Sequence, residues 1–142
     1  MIIRAFEISD YDMVYQLWNS IPGIGLNKID DSREGITRFI TRNPNTNFVA
    51  EEDGRIIGVA LSGHDGRRGY LYHVCVDNSH RRRGIGRQLV QKVAESMKSE
   101  NIHVLALFCF SENEAGNSFW KSLGWKLRSD LNSYRLYLDD IN

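Results

Sequence analysis

The chain has 142 residues, and its 18 basic and 18 acidic side chains cancel, so no net charge draws it to nucleic acid or to an anionic membrane. A hydrophobic share of 42% and a charged share of 25% are those of an ordinary globular protein long enough to bury a core, which excludes intrinsic disorder and small disulfide-stapled scaffolds. No apolar run approaches the roughly 20 residues of a membrane helix. Residues 1–7 lack the apolar core of a signal peptide, so the expectation is a cytoplasmic protein without a membrane partner. Cys75 and Cys109 each sit inside an apolar run, which suits buried free thiols in a reducing compartment.

In chain order the pattern is mixed α/β, with no repeat or Pro/Gly-rich linker to mark a boundary, and residues 1–142 are expected to form a single domain. Residues 2–7 predict a first strand. Ser9 or Asp10 can cap a helix whose apolar side carries Val14, Leu17, Trp18 and Ile21, ended by Pro22, Gly23 and Gly25. Asp31 or Ser32 can cap a second helix with Ile36, Phe39 and Ile40 inward, stopped by Asn43 and Pro44. Asp53-Gly54 then supplies the positive φ angles of a hairpin turn between strands at 48–52 and 55–61, and a glycine-rich loop at 63–69 leads into a third antiparallel strand at 70–76. Residues 85–98 place Leu89, Val90, Val93, Ala94 and Met97 on one helical face. A nearly continuous apolar strand is expected at 102–110, parallel to the one before the helix through a right-handed crossover. A shorter helix at 114–123 and a last hairpin, 125–127 with 133–138, complete the expectation.

The segment with the strongest chemical character is Val76-Asp77-Asn78-Ser79-His80-Arg81-Arg82-Arg83-Gly84-Ile85-Gly86-Arg87, an apolar strand running into a glycine-spaced basic turn that opens a helix. Glycines let backbone approach an anion closely, the first free N–H groups of the helix point at it, and the helix dipole adds positive potential. Arg82, Arg83 and Arg87 add side-chain charge suited to a diphosphate. The spacing excludes two other phosphate loops: Gly-Lys-Ser/Thr is absent, and Leu89 stands where a dinucleotide fingerprint needs its third glycine.

Arg81-x-x-Gly84-x-Gly86 after a hydrophobic strand resembles the acyl-CoA signature of the GCN5-related N-acetyltransferases, the GNAT superfamily. The stretch from Asn113 through Gly116, Phe119, Trp120 and Gly124 to Trp125 is similar to that family's later Asn-x-x-Ala-x-x-Leu-Tyr-x-x-x-Gly-Phe segment, with Gly116 for Ala and Trp120 for Tyr. The glycine-rich turn and Gly69-Tyr70-Leu71-Tyr72 are similar to those of a bacterial YpeA-like branch. The resemblance implies an α/β (α+β) fold: a mixed, mostly antiparallel sheet of about six to seven strands flanked by about four helices, with strands four and five parallel and splayed. It implies acetyl-CoA as cosubstrate, with the pantetheine arm beside the fourth strand on the backbone of Val74, Cys75 and Val76. The diphosphate would rest on the turn Arg81, Arg82, Arg83, Gly84, Ile85, Gly86 and Arg87. Asn113 and Trp120 would line the other side. The partners implied are acetyl-CoA and an amine acceptor, with no nucleic acid, in a monomer or a homodimer.

Acetylating an amine requires the amine to be neutral. A lysine-like amine of pKa about 10.4 pays roughly 1.36 kcal/mol per unit, close to 5 kcal/mol, to lose its proton at pH 7. In the family the departing thiolate is usually protonated by the tyrosine of the second motif; here Trp120 holds that position, and an indole N–H is no acid at neutral pH. The fourth and fifth strands contain no Asp or Glu, which leaves His73 as the side chain there with an ordinary pKa near working pH, Tyr72 as a water relay, and Glu112 as the carboxylate nearest in sequence. Asp30, Asp31 and Glu34 cluster where an acceptor would enter, while Trp18 and Phe39 read as core. His64, His80 and His103 show no metal-ligand spacing, so no metal is expected. The alternative to a transferase is a catalytically weak or inactive acyl-CoA-binding module.

Overall fold

A computed structural model describes residues 1–140, without the side chain of Asp140. The chain divides into two compact units, Met1–Phe108 and Cys109–Asn142.

The first unit holds a sheet in the order β1-β2-β3-β4-β5, formed by β1 (Ile2–Ala5), β2 (Phe48–Glu52), β3 (Arg55–His64), β4 (Gly69–Val76) and β5 (Leu105–Leu107). The first four strands pair antiparallel, and β5 lies parallel to β4. Helices α1 (Tyr11–Asn19) and α2 (Arg33–Arg42) precede β2, and α3 (Ile85–Ser99) connects β4 to β5. Asp53 and Gly54 take the expected left-handed conformations at the β2–β3 turn, with φ of 52° and 75°. Asp65 closes the β3–β4 turn by accepting from the Arg67 and Arg68 N–H groups at 2.8 and 2.9 Å, and β3 and β4 extend further toward each other than the glycine-rich loop suggests.

One core packs α1 and α2 onto the sheet through Phe6, Tyr11, Val14, Leu17, Trp18, Ile36, Val49, Ile56, Val59, Leu61 and Cys75. Of the two caps foreseen for α2, Ser32 is the one used, its hydroxyl accepting from Gly35 N at 3.0 Å. The buried stripe of α3 is Ile85, Leu89, Val90, Val93 and Met97, with Ala94 exposed. Gly58 on β3 lets α3 come close: a Cβ there would sit 3.1 Å from Leu89 and 3.2 Å from Ile85. The start of α3 is therefore seated tightly against the sheet beside the end of β4.

The register between β3 and β4 shifts between Ala60↔Val74 and Ser62↔Leu71, so Tyr72 and His73 together oppose Leu61. This bulge leaves one extra residue in β4. Its effect on β5 is direct. β5 pairs only with Gly69, Tyr70 and Leu71, and the pairing stops where the bulge begins. The strand expected at 102–110 is thus three residues long, Leu105–Leu107. Its beginning is taken up in closing α3, where Asn101 has φ 63° and Ile102 N–H bonds the Met97 carbonyl at 3.0 Å.

The second unit contains α4 (Glu114–Ser122) and a 3₁₀ turn at Leu138–Asp140. The expected hairpin of 125–127 with 133–138 is not formed among the described residues, so the sheet has five strands rather than six or seven. Tyr134, Leu136 and Leu138 alternate as a strand would, but all three are exposed. Alternation supplies a face without supplying a partner, and two short strands alone are marginal in water. No helix among the described residues is long and apolar enough to cross a membrane.

Candidate acyl-transfer site

The outer edge of β4 is the first element of the site. Asp77 N–H bonds the Ile57 carbonyl at 2.8 Å, so Ile57 and Asp77 form a hydrogen-bonded pair that continues the register Gly58↔Val76, Val59↔Cys75. Antiparallel ladders alternate bonded and non-bonded pairs, which turns the N–H and C=O of Cys75 toward β3 and those of Val74 and Val76 away from it. β5 has stopped pairing by Leu71. Val74 and Val76 consequently present main-chain donors and acceptors that no strand among the described residues takes up.

The strand runs directly into the basic turn. Asp77 caps a 3₁₀ turn at Asn78–His80: its carboxylate bonds the Ser79 hydroxyl, accepts from Ser79 N–H, and lies 2.7 Å from His80 Nδ1. Arg82 and Gly84 are both left-handed, with φ of 65° and 74°, and Gly84 is the N-cap of α3. Alternating left-handed residues bring successive N–H groups onto one concave side, and the free N–H groups of the α3 start adjoin them. Arg81, Arg82 and Arg87 are exposed and make no ion pair among the described residues. Arg83, expected as a free charge, is instead forked onto Glu52 at 2.7 and 3.0 Å. Glu52 also meets His80 Nε2 at 3.5 Å and the Met1 amine at 3.9 Å. Arg83 holds its carboxyl down at about 2. Ile85 is buried, so only its backbone is available to a ligand, and Gly86 lies in the first turn of α3.

The bulge organises the other part of the site. Tyr72 packs edge-on against Phe39 of α2, with centroids 5.5 Å apart, and His73 packs edge-on against Trp18 of α1 at 5.0 Å. Both candidate catalytic residues therefore lie on the face covered by α1 and α2. Tyr72 is 55% exposed, and partial burial, with Tyr70, Asp30 and Asp65 nearby, pushes its phenol above its ordinary value, so it stays an O–H donor at neutral pH. His73 Nε2 lies 2.9 Å from Asp31 Oδ1, and the two side chains are only 13% and 7% exposed. The foreseen acidic group of Asp30, Asp31 and Glu34 is thereby divided: Asp31 turns inward to His73, whereas Asp30 and Glu34, the latter in the first turn of α2, remain exposed. Cys75 is buried, and burial pushes its thiol up to about 12, which makes it inert as a nucleophile.

In the second unit Asn113 is the N-cap of α4, its side-chain oxygen accepting from Gly116 N at 2.9 Å. The side-chain amide nitrogen makes no hydrogen bond among the described residues. Trp120 packs against Phe119 and Trp125, each with centroids 5.0 Å away. Glu112 is exposed in the turn before α4. Sequence reasoning missed the pairings of Asp31 with His73 and of Glu52 with Arg83, since no local pattern connects residues so far apart.

Residues 11–125 match the model of the acetyltransferase (GNAT) family. The chain belongs to that family and is an acyltransferase of the acetyltransferase type. A curated acetyltransferase of Sodalis glossinidius is 27% identical over 131 residues, covering 92% of this chain and 91% of the relative. One of Photorhabdus laumondii is 29% identical over 119 residues, covering 81% and 79%. Among solved structures, Ard1 from Thermoplasma volcanium superposes with a TM-score of 0.77 at 19% identity over 87% of this chain and 80% of that one. AAC(6')-Iy, solved with a bisubstrate analogue built on CoA, superposes with a TM-score of 0.76 at 19% identity over 96% and 97%. These likenesses support the mixed fold with parallel β4 and β5.

Proposed function

We propose that this chain transfers the acetyl group of acetyl-CoA to a primary amine of a small molecule or protein by direct attack in a ternary complex. The observation that carries the reading is the β4 edge at Val74 and Val76, unpaired among the described residues, running into the left-handed Arg82–Gly84 turn. Main-chain amides of a pantetheine arm match the first, and a diphosphate matches the second. Arg81, Arg82 and Arg87 add charge around the diphosphate, and Arg83 contributes its backbone.

In the transfer, the amine nitrogen forms a bond to the acetyl carbon, the C–S bond breaks, and the thiolate leaves. His73 takes the amine proton, with Tyr72 available to relay it through water, and solvent protonates the thiolate. The outer N–H of Val76 polarises the thioester carbonyl. Trp120 offers no acid, but the magnitudes tolerate this. Acid catalysis contributes about 10²–10⁴-fold, whereas correct placement of two reactants lowers the barrier by roughly 7–11 kcal/mol.

Purified protein should bind acetyl-CoA by calorimetry and release free thiol when given kanamycin, spermidine or a peptide with an N-terminal alanine. Tight binding without release for any of the three favours the second reading, a non-catalytic acyl-CoA-binding module, which Trp120 and the carboxylate-free β4 and β5 recommend. Absence of acetyl-CoA binding overturns both.

A further inference from the structure

Asp31 is the one acid of the α1–α2 connection that is not spent on solvent, and its bonds are directional. Its Oδ2 accepts from Asn27 N–H at 2.8 Å, its backbone carbonyl accepts from the buried Tyr11 hydroxyl at 2.5 Å, and its Oδ1 faces His73 Nε2 at 2.9 Å. The loop carrying it is held as well, because the Asn27 side-chain oxygen accepts from Ile29 and Asp30 N–H at 2.8 and 2.9 Å. A carboxylate has no proton to give, so the proton of this bond sits on Nε2 of the imidazole. In neutral imidazole that leaves Nδ1 as the lone-pair nitrogen, and no group among the described residues hydrogen-bonds it. The edge contact with Trp18 fixes the ring plane.

We infer that Asp31 is a positioning residue which locks His73 in the Nε2–H tautomer, so that Nδ1 is the atom that takes the proton from the acceptor amine. This rests on the transfer reading above and adds to it the residue that sets the base and the nitrogen that acts. The proton leaves the amine for Nδ1 as the C–N bond forms, and the resulting imidazolium, stabilised by Asp31, returns it to solvent after the thiolate has gone. The alternative role for the pair is purely structural, tying the α1–α2 loop to the sheet.

The geometry makes Asp31→Asn a decisive variant. Asn27 N–H requires an oxygen opposite it, which points the new amide nitrogen at His73 Nε2. That nitrogen is a donor, so the imidazole must move its proton to Nδ1 to accept. The loop stays tethered and the fold is retained, but the lone pair needed for chemistry is consumed. Spectra of ¹⁵N-histidine protein, with His73 assigned by comparison with His73→Gln, should show the Nε2–H form in wild type and the Nδ1–H form in Asp31→Asn. The kcat for thiol release with the acceptors named above should fall about 10²–10⁴-fold in Asp31→Asn, with acetyl-CoA Kd unchanged.

An Nδ1–H form in wild type overturns the proposal without any variant. Undiminished kcat in Asp31→Asn overturns the positioning role. If His73→Ala nevertheless abolishes turnover, the base assigned to His73 survives that loss. Failure of wild type to release thiol with any acceptor overturns the transfer reading itself, and the base with it.

Discussion

The bulge at Tyr72 and His73 and the turn from Asp77 to Arg87 are neighbours along one stretch of chain, yet they are organised by opposite means. The turn is a local object. Its shape follows from residue types in sequence: an Asp cap, a left-handed glycine, and a helix whose apolar stripe seats it against Gly58. The bulge is a long-range object. It exists because β3 and β4 are out of step by one residue, and its histidine is paired with a carboxylate 42 residues away. Groups that bind a common cosubstrate can be built into one contiguous stretch, while groups that act on a particular acceptor are assembled from loops that differ from one protein to the next.

The sharpest way to separate the two regions is to damage the turn and leave the bulge alone. Gly84 is left-handed at φ 74°, with nothing within 4 Å of where a Cβ would stand, so a side chain there is resisted by the backbone and not by crowding. A β-branched residue in that conformation costs about 1–3 kcal/mol. Gly84→Val should therefore weaken acetyl-CoA binding by about 5- to 100-fold in calorimetry, while Gly84→Asn, which tolerates the left-handed region, should stay close to wild type. Equal losses in both variants would show that the diphosphate does not depend on this backbone conformation.

This contrast also accounts for what could be read from the residues alone. The β2–β3 turn, the Ser32 cap, the stripe of α3 apart from Ala94 and the left-handed glycine that opens α3 are all written in adjacent residues. Arg82 was legible only as a charge, because nothing in an arginine announces a φ of 65°. The partner of Arg83 was hidden for another reason: Glu52 is 31 residues earlier, at the end of a different strand. The bulge itself has no signature in the Tyr72-His73 pair; it is a property of how two strands count against each other. At the far end of the chain the relation is reversed. Residues 133–138 alternate as a strand does, yet pairing is decided by a neighbour and not by the segment.

A smaller effect tests whether the turn is truly local or leans on β2. Glu52 forks Arg83 and reaches His80, so Glu52→Gln should free both and loosen the turn, weakening acetyl-CoA about 2- to 5-fold. The same pair gives a pH signature. The Glu52 carboxyl is lowered from 4.5 to about 2, so its contribution to stability is complete above about pH 4.5 and is lost as pH falls toward 2. The Tm difference between wild type and Glu52→Gln, followed by calorimetry, should be constant from neutral pH to about 5 and narrow below that. A gap that stays open at low pH would mean the carboxylate charge is not what holds the turn.

The smallest expected change is at Trp120, where the family pattern has a tyrosine. If the chemistry is placed by β4 and served by His73, a phenol at this position adds little, because a thiol of pKa about 8.5 leaves without much assistance. Trp120→Tyr keeps an aromatic ring among Phe119 and Trp125 and should leave α4 intact. Its kcat should remain within about 3-fold of wild type, against the 10²–10⁴-fold, on the order of magnitude, that a missing general acid would restore. A gain of that larger size would show that the chain has lost an acid it once used, and would shift the weight toward a binding module. Parity would mean that the indole serves packing against Phe119 and Trp125 and that the transfer needs no acid at this position.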